Sequence, residues 1–262
     1  MPELPDVEGF RRALAKGLAG RRVVDVTVLD PGVLRNRTPS QFTQQLTGRQ
    51  FAEPARTGKW LILPTDGPSV LIHNGMTGRP YLADPGEEPD RYDRLVITTD
   101  DGELHYSDLR KLRGVWLAAT EPEVTNVIGP HGQDAWPISV AAFIDAMHGR
   151  QGQLKPTLMD QTVIAGLGNM LSDEVCWRAH LHPASSIPNL TDDELTRLAG
   201  QLRQVLRAAV RAGHIPRTRS WLNSRRDYPD PAPCPRCGTT ICRTRIGGRT
   251  SLWCPRCQPL PA

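Results

Sequence analysis

Two Cys-x-x-Cys pairs near the carboxyl end, Cys234-Pro235-Arg236-Cys237 and Cys254-Pro255-Arg256-Cys257, constrain this chain more than any other feature. Each pair presents two thiolates suited to a tetrahedral zinc site, with Zn–S bonds of about 2.3 Å. The sixteen residues between the pairs fit a β-hairpin turned at Gly247-Gly248, which brings the pairs together. Four sulfur ligands leave no position for a water, so one zinc here is expected to be structural. Cys242 and Cys176 fall outside the pairs and read as free thiols. The hairpin also carries Arg243, Arg245 and Arg249, a cationic finger suited to nucleic acid.

The 262 residues carry a formal net charge of +4, unevenly placed. Residues 1–150 hold 17 basic and 20 acidic side chains, residues 151–212 hold 6 of each, and residues 213–262 hold 9 arginines against Asp227 and Asp230. Arginine's planar fork matches phosphate, so the basic end suits a polyanion or else forms a solvated tail. No stretch approaches the roughly 20 apolar residues of a membrane span. The acidic start, Met1-Pro2-Glu3-Leu4-Pro5-Asp6, is unlike a signal peptide. A cytoplasmic setting with no membrane partner is expected, where cysteines serve as thiols or metal ligands.

Val7, Phe10, Leu14 and Leu18 share one face of an expected helix that Gly20 closes. From Arg22 to about Ala119 the period becomes two. Strands are expected at Arg22–Leu29, Gln50–Glu53, Trp60–Pro64, Ser69–His73, Arg94–Thr99, Glu103–Ser107 and Gly114–Ala118, with turn-rich segments between them. That pattern predicts a β-sandwich or barrel over residues 1–120. Residues 121–136 lack a period and read as an interdomain linker. Residues 137–213 read as a helical domain, with helices at Ser139–Met147, Lys155–Met159, Asn169–Ala179 and Thr191–Ala212. Residues 214–233 form an Arg- and Pro-rich loop, and residues 234–262 the finger. The fold class is α+β and multidomain.

Pro2 follows the initiator Met1, whose removal would expose a prolyl secondary amine. An α-amino group titrates near pH 8, well below lysine, so part of it is nucleophilic at neutral pH. Attack on a sugar C1′ would displace a base and leave an iminium, and Glu3 could move protons there. Gly58-Lys59-Trp60 places an ammonium at the start of a strand. Met76, in the turn His73-Asn74-Gly75-Met76-Thr77-Gly78, and the loop Asp108-Leu109-Arg110-Lys111-Leu112-Arg113 pair exposed apolar groups with arginine. An apolar wedge beside an arginine is what base extrusion requires. Gly166 and Gly168 allow close backbone approach to a ligand, and Asn169 can cap the next helix, whose amino end favours phosphate. Each feature alone also fits core packing or surface charge.

Together they resemble the formamidopyrimidine-DNA glycosylase / endonuclease VIII family of DNA repair enzymes. The resemblance rests on Pro2 to Glu8, Gly58-Lys59, Gln161 to Pro183 and the four-cysteine finger, in that order along nearly the whole chain. It implies an N-terminal β-sandwich, a helical domain with a helix–two-turn–helix element and a C-terminal zinc finger, with DNA bound between domains. It also implies base excision followed by β,δ-elimination on double-stranded DNA with damaged bases or abasic sites, by a monomer in a bacterial-type cytoplasm, associated with the nucleoid. By position, Pro2 resembles the nucleophile, Glu3 the acid/base and Lys59 the strand-opening lysine. Asn169 and Arg249 resemble the phosphate-gripping pair, and Met76, Arg110 and Leu112 the residues that fill the gap left by a flipped nucleotide. Asp6 stands where the family usually has glutamate, and Leu112 where the 8-oxoguanine enzymes have phenylalanine. The 214–233 segment is shorter than the loop with which those enzymes cover 8-oxoguanine, which leaves the lesion open. A non-catalytic damage-binding protein on the same scaffold is the alternative reading.

Overall fold

The structure, a computed structural model, describes residues 1–260. Its contacts divide the chain into two compact units, one of Met1–Pro2 with Asp6–Pro130 and one of Glu3–Pro5 with the chain from His131 onward.

The chain opens on helix α1 (Leu4–Leu18). The rest of the first unit runs through β1 (Val23–Val28), α2 (Pro39–Leu46), β2 (Ala55–Thr57), β3 (Trp60–Leu63), β4 (Ser69–His73), β5 (Arg79–Ala83), β6 (Asp93–Thr99), β7 (Gly102–Ser107), β8 (Gly114–Ala118) and α3 (Glu121–Ile128). Two antiparallel four-stranded sheets form, ordered β1-β6-β7-β5 and β2-β3-β4-β8. Alternate residues of both bury into one core: Val26, Leu95, Ile97 and Leu104 from the first sheet, Leu61, Leu63, Val70, Ile72, Val115 and Leu117 from the second. Val7, Leu14 and Leu18 of α1 pack into the same core. The expected β-sandwich is therefore present.

Several details of the first unit differ from the sequence reading. Residues 50–53 make only isolated bridges, Arg22 to Gln50 and Phe51 to Thr65. Pro54 has no N–H to continue a ladder, and pairing resumes at Ala55. The 121–136 segment, read as an interdomain linker without a period, carries α3, capped by Thr120 and seated by Val124 beside Leu71 and Ala118. Strand β5 was not expected, because Pro80 interrupts its pattern. It lies at a sheet edge, where a missing N–H is tolerated.

The outer face of the first sheet holds a buried charge cluster. His105 on β7 meets Asp93 Oδ2 on β6 at 3.0 Å and Glu103 Oε2 at 2.9 Å. Tyr81 on β5 donates to Asp93 at 2.7 Å, and the Asp90 N–H at 2.9 Å. Burial opposes the imidazolium, but the flanking carboxylates raise His105 above its ordinary value. Asp93 and Glu103 are correspondingly lowered, Asp93 against burial and with help from Tyr81, Glu103 chiefly by His105. A raised histidine stabilises the fold fully below its unfolded pKa of about 6.5 and loses that contribution as pH climbs through the folded value. The lowered carboxylates contribute above about pH 4 and lose it as pH falls further. Melting temperature is thus expected to decline above about pH 6.5 in the wild type, and less in His105→Gln. Identical slopes for the two proteins would remove His105 as the cause.

The second unit adds β9 (Gln133–Asp134), α4 (Val140–Met147), α5 (Leu154–Met159), β10 (Ile164–Ala165), α6 (Asn169–Arg178), α7 (Asp192–Ala212), β11 (Cys242–Ile246) and β12 (Arg249–Trp253). Thr191 and Glu194 form a reciprocal capping box on α7, and Gly213 ends it in the left-handed conformation. Leu195, Leu198, Leu202, Val205, Leu206 and Ala209 face a core shared with Phe143, Leu158, Leu171 and Val175. The 214–233 segment has no long element but is not a free tether. Trp221, Leu222, Asn223 and Ala232 are buried, and residues 222–225 form a 3₁₀ turn.

Candidate active site and zinc centre

Glu3 sits at the amino end of α6, fully buried. Its Oε2 accepts from the N–H groups of Gly168 at 2.8 Å and Leu171 at 3.1 Å, and its Oε1 from Met170 at 2.8 Å. These are helix-terminal donors without intrahelical partners, and the helix dipole favours the same negative charge. Leu4 N–H donates to Gly166 O at 3.1 Å, extending the attachment. The two glycines thus serve a neighbour of the chain's own making rather than a phosphate. A Cβ on Gly168 would lie 2.4 Å from the Glu3 carboxyl carbon, and one on Gly166 2.4 Å from Leu4 Cδ1. The expected cap is also revised. Gly168 occupies the N-cap, Asn169 is the first helical residue and makes no side-chain cap, because Glu3 already fills that place. Asn169 Oδ1 is buried and, among the described residues, has no hydrogen-bond partner.

A buried ionic network ties α6 to the hairpin. Asp173 pairs with Lys155 of α5 at 2.6 Å and with Arg226, and accepts from Leu252 N–H of β12 at 3.0 Å. Lys155 also donates to Ser251 Oγ at 2.6 Å, and Arg226 to Asn169 O at 3.3 Å. Burial dominates both ionisations, lowering Lys155 and raising Asp173, while the pairing opposes it. Sequence reasoning missed this network, since a lysine, an aspartate and an arginine so widely spaced give no local signal.

The four cysteines converge. Their Sγ atoms all lie within 4.8 Å of one another, with Cys237 at 3.5 Å from both Cys254 and Cys257, and Cys234 at 3.9 Å from Cys257. A tetrahedron of Zn–S bonds places sulfurs about 3.8 Å apart, so the set fits one structural zinc. Hydrogen bonding with Thr239 lowers the Cys237 thiol, while burial raises Cys254 and Cys257. Cys176, buried on α6, has its thiol pushed far up by desolvation.

Gly247 and Gly248 both take positive φ, as a two-residue hairpin turn requires. Gly247 packs on Pro156 of α5, where a Cβ would come within 2.7 Å. Arg249 opens β12, exposed, and among the described residues no group pairs with its guanidinium. Arg243 does not join the cationic tip. Its guanidinium donates to the carbonyls of Arg225 at 2.7 Å and Arg226 at 3.2 Å and pairs with Asp230. Arg225 and Arg236 likewise hold backbone carbonyls. Much of the arginine-rich end is internal scaffolding, and Arg249 is one of the few left open.

In the first unit, Gly58 and Lys59 are the two turn residues between β2 and β3, with Gly58 at φ +52 and Thr57 opposite Trp60. Beneath this turn Glu8 is held below the usual carboxylate range against burial by Arg11, at 2.8 Å, and Arg56, at 3.3 Å. His73, at the end of β4, is driven down to about 4 by burial and by the Arg113 and Lys59 cations. Met76 and Arg110 do come together, with Arg110 Nη1 2.9 Å from Met76 Sδ. Met76 and Leu112 stand out as exposed apolar side chains, as does Leu109, which the sequence reading passed over.

Comparisons with known proteins cover nearly the whole chain. The model of the formamidopyrimidine-DNA glycosylase N-terminal domain matches residues 1–115, its H2TH domain residues 129–220, and the zinc finger found in FPG and IleRS residues 233–260. A formamidopyrimidine-DNA glycosylase of Salinispora arenicola is 36% identical, over 100% of this chain and 97% of its own. The chain belongs to the formamidopyrimidine-DNA glycosylase family. A relative of the same name from Acidothermus cellulolyticus is 35% identical over 100% of this chain and 98% of its own. Among solved structures, Lactococcus lactis Fpg in complex with an N7-benzyl-Fapy-dG containing DNA superposes with a TM-score of 0.87 at 29% identity, covering 98% of this chain and 100% of that one. A complex of the same enzyme with an abasic site containing DNA gives the same score, identity and coverage.

Proposed function

We propose that the protein excises an oxidised or ring-opened base from double-stranded DNA and then cleaves the strand at the abasic sugar. Once Met1 is removed, the Pro2 amine attacks C1′. The C1′–N bond to the base breaks, the base leaves with a proton, and an iminium joins Pro2 to the opened sugar. Loss of a C2′ proton expels the 3′ phosphate and loss of a C4′ proton the 5′ phosphate, and water then releases Pro2. Glu3 moves protons at the sugar, Lys59 assists ring opening, Asn169 and Arg249 grip phosphates, and Met76, Arg110 and Leu112 fill the vacated stack. The protein acts as a monomer in the bacterial cytoplasm.

One observation carries this reading. Glu3 is fixed by three backbone N–H groups, so the residue bonded to it, Pro2, is held at a defined place rather than left on a frayed terminus. That placement suits a reacting amine, whereas a protein that only bound damage would need no more of Glu3 than its capping of α6.

Borohydride reduces an iminium to a stable amine, so incubation with an abasic duplex is expected to yield a covalent complex whose adduct maps by mass spectrometry to Pro2. Mature protein with an exposed Pro2 that binds the duplex but forms no adduct would favour the non-catalytic alternative.

A further inference from the structure

The loop between β7 and β8, residues 108–113, has no strand partner, yet it is held from two sides. On one side Asp108 Oδ1 accepts from Thr77 Oγ1 at 2.5 Å and from Arg110 N–H at 3.1 Å, and Tyr106 O–H donates to Asp108 Oδ2 at 3.3 Å. On the other lies the segment between β1 and α2, to which the sequence reading gave no role. Arg35 Nε donates to Arg113 O at 3.0 Å and its terminal nitrogen to Lys111 O at 2.6 Å, so one guanidinium holds the carbonyls on either side of Leu112. Lys111 Nζ meets Asp30 Oδ2 at 2.7 Å, and Asp30 Oδ1 accepts from Gly32 N–H at 2.9 Å.

This second side is itself anchored. Arg35 N–H donates to Val115 O at 3.0 Å, and the Asn36 amide makes a reciprocal pair with the Leu117 backbone at 2.7 and 3.0 Å. A Cβ on Gly114 would lie 2.1 Å from Val33 O, so the two segments are in backbone contact. Lys111 takes φ +49, a conformation that a side-chain-bearing residue keeps only where surrounding contacts enforce it. Leu112 meanwhile stays 52% exposed. An exposed apolar side chain on a strained, doubly fastened loop is a preformed projection.

We propose that Arg35, supported by Asp30, is a positioning residue that presets the base-extruding wedge by holding the backbone on both sides of Leu112. The inference rests on reading Met76, Arg110 and Leu112 as gap-filling residues. A wedge that is already in shape need not be ordered while the base leaves the stack, so its value lies in the extrusion step. The chemical step at the sugar does not depend on it.

The test compares two substrates with full-length protein. One is a fully paired duplex with a single ring-opened guanine opposite cytosine, which must be extruded. The other is an abasic site inside an unpaired bubble, which needs no extrusion. With Arg35→Ala, single-turnover excision on the paired duplex is expected to fall about ten-fold, the scale of two lost hydrogen bonds, while borohydride trapping on the bubble stays within about two-fold. Arg35→Lys, whose single ammonium cannot span both carbonyls, is expected to recover only part of the loss. Asp30→Asn, which leaves the Arg35 bonds in place, is expected to show the same pattern more weakly, and it keeps the question open to test if Arg35→Ala folds poorly. Equal losses on both substrates, as from misfolding or a direct phosphate contact, overturn the proposal, and so does no loss on either. Leu112→Ala run alongside separates the two readings. If it impairs the paired duplex while Arg35→Ala does not, the positioning role alone fails; if it spares the paired duplex, the wedge assignment fails and the proposal with it.

Discussion

An alanine at position 168 is expected to silence base excision as thoroughly as substitution of Glu3. Gly168 has φ −131, which any residue adopts, so the effect is not backbone strain. The obstacle is steric, since the new Cβ would lie 2.4 Å from the Glu3 carboxyl carbon and 2.6 Å from Oε1. Glu3 would have to leave, surrendering three backbone donors around a buried carboxylate, each such bond being worth roughly 1.5–3 kcal/mol. Displacement of Glu3 moves Pro2, to which it is bonded. On the proposed roles of Pro2 and Glu3, a misplacement of about 1 Å in the reacting amine costs on the order of 10²-fold, and loss of the proton carrier a further 10²-fold or more. Single-turnover excision by Gly168→Ala is therefore expected to drop about 10²- to 10⁴-fold. Glu3→Gln is expected to fall in the same range, because its amide presents an N–H₂ group to backbone N–H donors. Activity of Gly168→Ala within about three-fold of wild type would show that the clamp does not set the site.

That clamp also marks where the sequence stopped being legible. Gly166 and Gly168 were recognisable as places of close approach, but nothing local says that the approaching group is Glu3, some 165 positions earlier in the chain. The cysteines were readable because zinc coordination dictates their spacing. Helix α7 was readable because Thr191, Glu194 and Gly213 carry its cap and stop within a few residues. Helix α2 has the same kind of signal, a Thr38–Gln41 capping box with Pro39 in the first turn, yet it is only eight residues long with two buried apolar positions, Phe42 and Leu46. So short a period was lost between strands. Arg243 and Arg249 look alike in sequence. Only the path of residues 225–230 shows that Arg243 is occupied by backbone carbonyls while Arg249 is open.

Removing the zinc is expected to abolish tight duplex binding while leaving every proposed catalytic group in the chain. The finger's apolar core is small: Trp177, Leu222, Ala232, Ile241 and Leu252 with Cys234, Cys254 and Cys257, so three of its eight members are metal ligands. A two-stranded hairpin has little stability of its own, whereas structural zinc contributes roughly 10–16 kcal/mol in isolated fingers at neutral pH. Once loosened, β12 would draw Leu252 N–H from Asp173 and Ser251 Oγ from Lys155. Two buried charges would then be short of partners, which is costlier than the loss of surface contacts. Chelation or Cys254→Ser is thus expected to lower duplex affinity about 10²-fold or more, with lost metal confirmed by zinc assay. Arg249→Ala is the necessary comparison. It would remove the proposed phosphate contact from an intact hairpin, and the slope of log affinity against log salt is expected to fall by about one. Zinc loss must exceed this, because it releases the backbone that aims Arg249 along with the network behind it. If the chelated protein binds as well as Arg249→Ala, the finger acts on DNA through that one arginine alone. If it binds as well as wild type, the finger has no part in holding DNA.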